Sequence, residues 1–438
     1  MGEPTRTIAE PPRTLGEALR HLGPGIVLAS SIVGSGELIA TTSTGAQAGF
    51  LLLWLILIGC VIKVAAQVEI GRAPLAWGRT PLDAFDSVPG PRFAGRGWIY
   101  WAWAVMTALV LVQQGGIISG VAQSLAAGIP VTAAGREWNR VHDELARDRV
   151  LAAAARRRGD TAEADVLDTR MADLEAERTD LVRPVDETAW AVVTGVVTAI
   201  LLGVGRYRLI ETVSIVLVGT FTIVTLVALG LLQFDPAWAI SAGEFASGLA
   251  FRLPEERKGF SPLLTALSTF GIIGVGASEL MVYPYWCLEK GYGVAVGPRD
   301  DSEAWANRAR GWLRVMQLDA WASMVVYTAV TIAFYLLGAA TLGRLGLLPE
   351  GSEMVRTLGA MYAPVFGEWA NGAFLVGAFA VLYSTLFVAA AGMARMVVDG
   401  LILAGKLPGD PASRATWNRR LSIAWPLVAL VQIGRAHV

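Results

Sequence analysis

Apolar residues along this chain fall into nine blocks separated by polar and charged connections. Most blocks are about 18–25 residues long, enough to cross the roughly 30 Å hydrocarbon core of a bilayer. Because lipid offers no partner for an unpaired backbone N–H or C=O, each block is predicted to be a helix. The blocks are Pro24–Ala46, Leu51–Val68, Trp98–Ala127, Ala189–Val204, Val213–Leu232, Leu263–Leu288, Leu318–Leu337, Ala373–Met393 and Leu421–Ile433.

The composition supports an all-α polytopic membrane protein. Hydrophobic residues make up 54% of the 438 residues, and only 17% are charged, against about 25% in soluble domains. The net charge of −1 gives no reason to expect a nucleic-acid partner; the expected partners are the lipid bilayer and a small substrate. Cys60 and Cys287 both lie inside apolar blocks, which excludes a disulfide framework. No nucleophile arrangement, histidine cluster or nucleotide motif supports an enzyme, and no cofactor is expected.

Arginine and lysine residues are richer in one set of connections than in the other. Counted by the positive-inside rule, they predict a cytoplasmic N-terminus. We expect an integral membrane protein of the bacterial inner membrane. The predicted organisation is a cytoplasmic tail (1–23), helices 1–3 (24–135), an extracytoplasmic insert (136–187), helices 4–9 (188–432) and a tail (433–438).

The insert at 136–187 is highly charged, but it carries apolar residues at helical spacing on both sides of Gly159-Asp160. This pattern predicts an antiparallel helical hairpin with a polar outer face. At the other end, the ninth block is short, and 433–438 matches one reading frame of a common sequencing adapter. We therefore expect this tail to be non-native and the natural chain to be longer.

Two heptads near the middle of the first and sixth blocks agree in residue type at every position. Val33–Ile39 reads VGSGELI, and Val275–Met281 reads VGASELM. An offset of five helices reverses the direction of crossing, so the two copies run oppositely through the bilayer. This is the sequence sign of an inverted repeat of five plus five helices, with helices 1 and 6 broken.

The heptads also carry the candidate chemistry. The small residues Gly34, Ser35, Gly36, Gly276, Ala277 and Ser278 weaken a helix and allow its backbone to unwind. Glu37 and Glu279 stand beside them, and a carboxylate inside the membrane costs about 2.5–3.5 kcal/mol on insertion scales unless something compensates it. Two such carboxylates at symmetric positions predict a shared cation or a shared proton. We expect both heptads to be non-helical and to face each other.

The stretch Gly34–Phe50, GSGELIATTSTGAQAGF, resembles the first helix of the Nramp family of divalent-metal transporters, where Asp-Pro-Gly-Asn opens a segment ending in Gly-Ala-Gln-x-Gly-aromatic. Gly205–Glu211 and Met393–Leu401 are similar to later parts of that family. The resemblance covers nearly the whole chain outside the insert. It implies a LeuT-like fold, transport by alternating access, and a metal site at the two breaks.

The site departs from that family's pattern. The family's metal-binding Asp falls at Gly34 and its metal-binding Asn at Glu37, while Ala277 matches an Ala whose carbonyl the family uses. The family's Met falls at Leu280 or Met281, and Met281 is equally well explained as a packed apolar side chain. The family's His is absent, since this chain's three histidines lie outside the blocks.

The leading hypothesis is a secondary transporter of a divalent cation such as Mg²⁺ or Mn²⁺. Its metal ligands would be Glu37, Glu279 and Ala277, and the substrate-binding set adds Gly34, Ser35, Gly36, Ser278 and Met281. Oxygen donors of this kind suit hard cations. The alternative is a LeuT-fold transporter of an organic solute such as an amine or amino acid. Two other charged residues are expected to have no part in the site. Lys63 is interpreted as a side chain that reaches the membrane surface, and Asp319 as an acid at the start of its own helix.

Overall fold

The computed structural model describes residues 8–34, 36–236, 238–257, 259–348, 353–366 and 369–436. It is all-α apart from one short antiparallel hairpin of β1 Arg92–Phe93 and β2 Arg96–Gly97. The predicted fold class is therefore confirmed at the level of secondary structure. The helices are α1 Leu15–Leu19, α2 Pro24–Ile32, α3 Thr42–Ala48, α4 Leu53–Trp77, α5 Pro81–Asp86, α6 Trp98–Gly128, α7 Ala133–Arg158, α8 Thr161–Asp180, α9 Asp186–Gly203, α10 Tyr207–Leu232, α11 Ala242–Gly248, α12 Pro262–Ile272, α13 Ala277–Lys290, α14 Tyr292–Val296, α15 Glu303–Gly338, α16 Glu353–Phe366, α17 Trp369–Leu403 and α18 Pro411–Ala436.

Seven stretches among the described residues are long and apolar enough to cross a membrane, and an eighth is the bent pair formed by α2 and the segment 36–48. One of the seven, Pro262–Lys290, contains both α12 and α13. The ninth block lies in α18, which is helical but is not among these spans. Its apolar part is only Leu421–Ile433, shorter than the roughly 18 residues that a crossing needs.

The first span is enclosed by other helices. The helix α2 contacts α10, α13, α15 and α17, and α3, which ends the bent pair, lies against α15. Glycines allow this last contact, because a Cβ on Gly45 would lie 2.2 Å from the carbonyl oxygen of Tyr335 and one on Gly338 would lie 2.1 Å from that of Thr42. The broken span is therefore held backbone to backbone against a continuous helix.

Residues 133–180 form the two helices α7 and α8, which pack against each other around Val141, Leu145 and Leu174. Gly159 ends α7 with a φ of 80°, a left-handed conformation that glycine adopts easily. The hairpin is also fastened to α16. Arg149 donates a 2.8 Å hydrogen bond to Glu353, and Arg356 of α16 donates to Asp143 and, at 2.6 Å, to Asn139.

Candidate functional site

The first break lies between α2 and a π-helical segment, Gly36–Thr41. Val33 has an extended conformation, and Gly34 follows it in a crowded position: a Cβ there would lie 1.8 Å from the hydroxyl oxygen of Thr385 on α17. Only a glycine lets α17 approach this closely. Ser35, a predicted site residue, lies outside the described residues.

The second break covers residues 273–276, between α12 and α13. Gly274 has a φ of +61°, which disfavours any residue with a side chain. Ala277, Ser278 and Glu279 are the first three residues of α13, so the carboxylate of Glu279 lies at the positive end of that helix dipole.

The prediction that both heptads are non-helical is therefore correct only for their first residues. In the first heptad, Gly36–Ile39 belong to the π-helical segment, and in the second, Ala277–Met281 belong to α13. The reason is that each acidic residue follows the glycines that break the helix, and helical backbone hydrogen bonding resumes immediately after those glycines. The two glutamates thus lie just beyond the breaks.

The carboxylate of Glu37 is fully buried. Its Oε2 accepts a 2.7 Å hydrogen bond from the hydroxyl of Thr41, one turn later on the same segment. The side chain of Thr331 and the backbone of Gly274 also lie beside it. The other oxygen, Oε1, is buried and has no hydrogen-bond partner among the described residues.

The carboxylate of Glu279 is half-buried and accepts hydrogen bonds from two hydroxyl groups. Ser278 donates to Oε2 at 2.7 Å, and Ser31, in the last turn of α2, donates to Oε1 at 3.4 Å. Ser31 therefore connects the first broken span directly to the acidic residue of the sixth.

The two breaks lie against each other. A Cβ on Gly36 would lie 3.1 Å from a methyl carbon of Ile272 at the end of α12, and Gly274 faces Glu37. The expectation that the two breaks face each other agrees with these contacts. Ala277 is exposed, and as the first residue of α13 its carbonyl is directed into the first turn of that helix. Met281 is partly buried and packs against the apolar core.

Lys63 has contacts inside the protein that the sequence did not suggest. It lies near the middle of α4, and its Nζ donates hydrogen bonds to the carbonyls of Ile273, at 2.5 Å, and Gly271, at 3.2 Å. Sequence reasoning missed this role, since the contact joins residues 208 and 210 positions apart. The only available signal was a charge in the interior of an apolar block.

Asp319 also differs from its expected role. It lies in the middle of α15, fully buried, and does not act on the start of its own helix. Its oxygens accept hydrogen bonds from the backbone N–H groups of Gly23, at 2.8 Å, and Gly25, at 2.6 Å, at the beginning of α2. They also accept one from the hydroxyl of Tyr283, at 2.9 Å. These bonds hold the start of the first span closed against α13 and α15.

The donors at the breaks are carboxylate, hydroxyl and carbonyl oxygens. Within the residues that the structure covers, no group of three or more His, Cys, Asp or Glu side chains is arranged to hold a metal. A cation at this position would therefore have two carboxylates at most, with backbone, hydroxyl or water oxygens completing its shell. Such a donor set is typical of hard, oxygen-binding ions.

A family model described as "Nramp: Natural resistance-associated macrophage protein-like" matches residues 176–435, more than half of the chain. No curated protein matches it.

Among solved structures, the chain is similar to the manganese transporter of Eremococcus coleocola. One mutant of that protein has 15% identity and a TM-score of 0.48, with 97% of this chain and 79% of that one covered. Its complex with an aromatic bis-isothiourea substituted compound has 14% identity and a TM-score of 0.47, with 98% and 90% covered. MhsT in complex with L-phenylalanine has 16% identity and a TM-score of 0.43, with 97% and 81% covered.

Proposed function

Because this chain belongs to the Nramp family of divalent-metal transporters, we propose that it carries a divalent cation such as Mg²⁺ or Mn²⁺ through a site formed by Glu37 and Glu279. The same membership implies a LeuT-like fold, an inverted repeat of five plus five helices, to which this sequence contributes nine apolar blocks. In that fold the substrate site lies where the first and sixth spans are broken. The transported ion is the substrate, and the proposal needs no cofactor.

The observation that carries the proposal is the state of Glu37. A buried carboxylate oxygen with too few hydrogen-bond donors is costly, because burial removes it from bulk water. Thr41 orients Oε2 of Glu37, whereas Oε1 has no hydrogen bond within 3.5 Å among the described residues, and the side chain of Thr331 and the backbone of Gly274 lie nearby. A cation bound at Oε1 would remove that cost.

The proposed shell contains further ligands. Glu279 supplies the second carboxylate, and backbone or hydroxyl oxygens of Gly34, Ser35, Gly36, Ala277 and Ser278 complete the proposed shell. Among these, the carbonyl of Gly34 already accepts the N–H of Leu38 at 3.0 Å, so it would bind through its second lone pair. Met281 is proposed only to line the substrate site, without binding the ion, which is consistent with its apolar packing.

We propose a bacterial inner-membrane location with the N-terminus in the cytoplasm. In this orientation the bonds from Gly23, Gly25 and Tyr283 to Asp319 close the cytoplasmic side of α2. Release of the ion to the cytoplasm would then require these bonds to break. In this orientation α2 ends at the site and α13 begins there, and the opposite end of each helix lies on the cytoplasmic side, so their movement would open the site.

Uptake into proteoliposomes across a panel of divalent ions and organic amines tests the proposal. We expect saturable uptake of Mg²⁺ or Mn²⁺ and none of the amines. The matched control is Glu69→Gln, which removes an exposed carboxylate paired with Arg72 on α4 and should leave uptake unchanged. Uptake of an amine without uptake of either metal would contradict the proposal and favour the organic-solute alternative.

A further inference from the structure

Lys63 occupies the end of the broken helix α12. Its ammonium donates to the carbonyls of Gly271 and Ile273, and it lies 5.4 Å from the centre of the Phe270 ring. The last carbonyls of a helix have no partner within the helix, and they form the negative end of its dipole. They are therefore groups that a cation would bind, and here the side chain of Lys63 supplies that cation.

The same ammonium lies at the second break, which meets the segment of Glu37 at the contact between Gly36 and Ile272 and is followed by Glu279. It lies within electrostatic range of both Glu37 and Glu279, and Cys60 is the other titratable group beside it. Neither carboxylate forms an ion pair with it within 4.0 Å in the part of the chain that is described. The positive charge is thus near the carboxylates without occupying their oxygens, so a metal could still bind there.

We propose that Lys63 is the built-in counter-cation of this site, which offsets part of the charge of Glu37 and Glu279 when no metal is bound. The inference rests on the proposed function, since it concerns the same two carboxylates. Without Lys63, an empty site would hold two negative charges in a region of low dielectric, where charge interactions are strong. With Lys63, the empty site is less negative, and a bound divalent ion is repelled by a fixed positive charge.

Two consequences follow. Removal of the Lys63 charge should make the site bind a divalent ion more tightly, because an attractive pair of carboxylates remains and a repulsive charge is gone. The same change should slow transport, since the ion leaves more slowly and the empty site is less stable. Tighter binding with slower turnover is a combination that loss of a merely structural contact would not produce.

The test compares the parent with Lys63→Met, Lys63→Gln, Lys63→Arg and Arg72→Met, using isothermal titration with Mn²⁺ and proteoliposome uptake at saturating Mn²⁺. Lys63→Gln keeps a donor for the α12 carbonyls and serves if Lys63→Met does not fold. Arg72→Met removes a positive charge from an exposed position of the same helix. We expect the Kd of Lys63→Met and Lys63→Gln to fall about ten-fold, the difference that about 1.4 kcal/mol makes, and their uptake rate to fall several-fold.

Lys63→Arg keeps the charge and should remain within about three-fold of the parent in both measurements, a difference of less than about 1 kcal/mol, and Arg72→Met should match the parent. If folded Lys63→Met and Lys63→Gln bind Mn²⁺ as the parent does, or more weakly, Lys63 only fastens α12 and the counter-cation role is wrong. If the parent itself binds no divalent ion, the proposed function fails, and the role of Lys63 fails with it. The two failures are therefore distinguished by the parent alone.

Discussion

The hydrogen bond from Thr41 to Glu37 fixes how this buried carboxylate is presented. The Thr41 hydroxyl holds Oε2 at 2.7 Å and leaves Oε1 without a partner. Thr41→Val keeps the side-chain shape but removes the donor. Since a hydrogen bond to a charged group contributes about 1.5–3 kcal/mol, and about 1.4 kcal/mol is a factor of ten, we expect the affinity for Mn²⁺ to fall at least about ten-fold.

Isothermal titration of Thr41→Val beside Thr220→Val measures this effect. Thr220 lies on α10, and its hydroxyl bonds only to the carbonyl of Val216 among the recorded contacts, so it controls for the loss of a helical threonine. Equal Kd values for both variants and the parent would mean that Thr41 does not orient the ligand.

Residue patterns predicted part of this site. The paired glutamates can be predicted from the sequence, because the repeat places them in matching heptads and the glycines before them mark the breaks. The sequence does not predict the roles of Lys63, Ser31 and Asp319, because each of these side chains contacts a segment far away in the chain. No local pattern encodes such a contact; it depends on how the spans pack.

At the scale of elements, apolar block length predicted where the spans lie but not where the helices end. The helix α15 begins at Glu303, well before the block that starts at Leu318, because its first turns are polar and extend beyond the apolar stretch. The π-helical segments Gly36–Thr41 and Ala339–Gly343 have no signature in a hydrophobicity pattern. Two of the site's properties, the exact breaks and the position of Glu37, depend on such details.

The hairpin of α7 and α8 is expected to be dispensable for transport, although it is fastened to α16. Asn139 donates to the carbonyls of Ala126 and Ala127 at the end of α6, and Arg356 bonds to the base of the hairpin. Removal of 137–183 would destroy these contacts. Removal of only 150–169, with a short linker joining Arg149 to Arg170, keeps them, and Arg170 already pairs with Asp148 across the two helices.

We therefore expect the 150–169 deletion to retain Mn²⁺ uptake within about two-fold of the parent, since surface segments away from a site rarely change its chemistry. The full 137–183 deletion should also transport if it folds, with a lower yield of folded protein. A monodisperse 150–169 deletion that does not transport would show that the hairpin takes part in the cycle.

At the scale of the whole molecule, the proposed orientation is tested by labelling. The two natural cysteines, Cys60 and Cys287, are buried, so they should react little with a maleimide and leave the labelling of introduced cysteines easy to detect. Ala162→Cys is exposed on the hairpin, and Ser87→Cys is exposed in the connection between α4 and α6. In intact bacterial spheroplasts, a membrane-impermeant maleimide should label Ala162→Cys at once and Ser87→Cys only after lysis. The reverse pattern would invert the proposed topology.

Glu37 and Glu279 are proposed to bind one shared cation, and a double-mutant titration is the sharpest test of that shared role. Glu37→Gln, Glu279→Gln and the combined variant are titrated with Mg²⁺ and Mn²⁺, with Glu69→Gln as the control carboxylate. Each single change should weaken binding by at least about ten-fold, because a neutral amide competes poorly for a desolvated divalent ion. The double variant should lose little more, as expected of groups that act on one ligand. If both single variants bind either ion as tightly as the parent, the shared site is wrong.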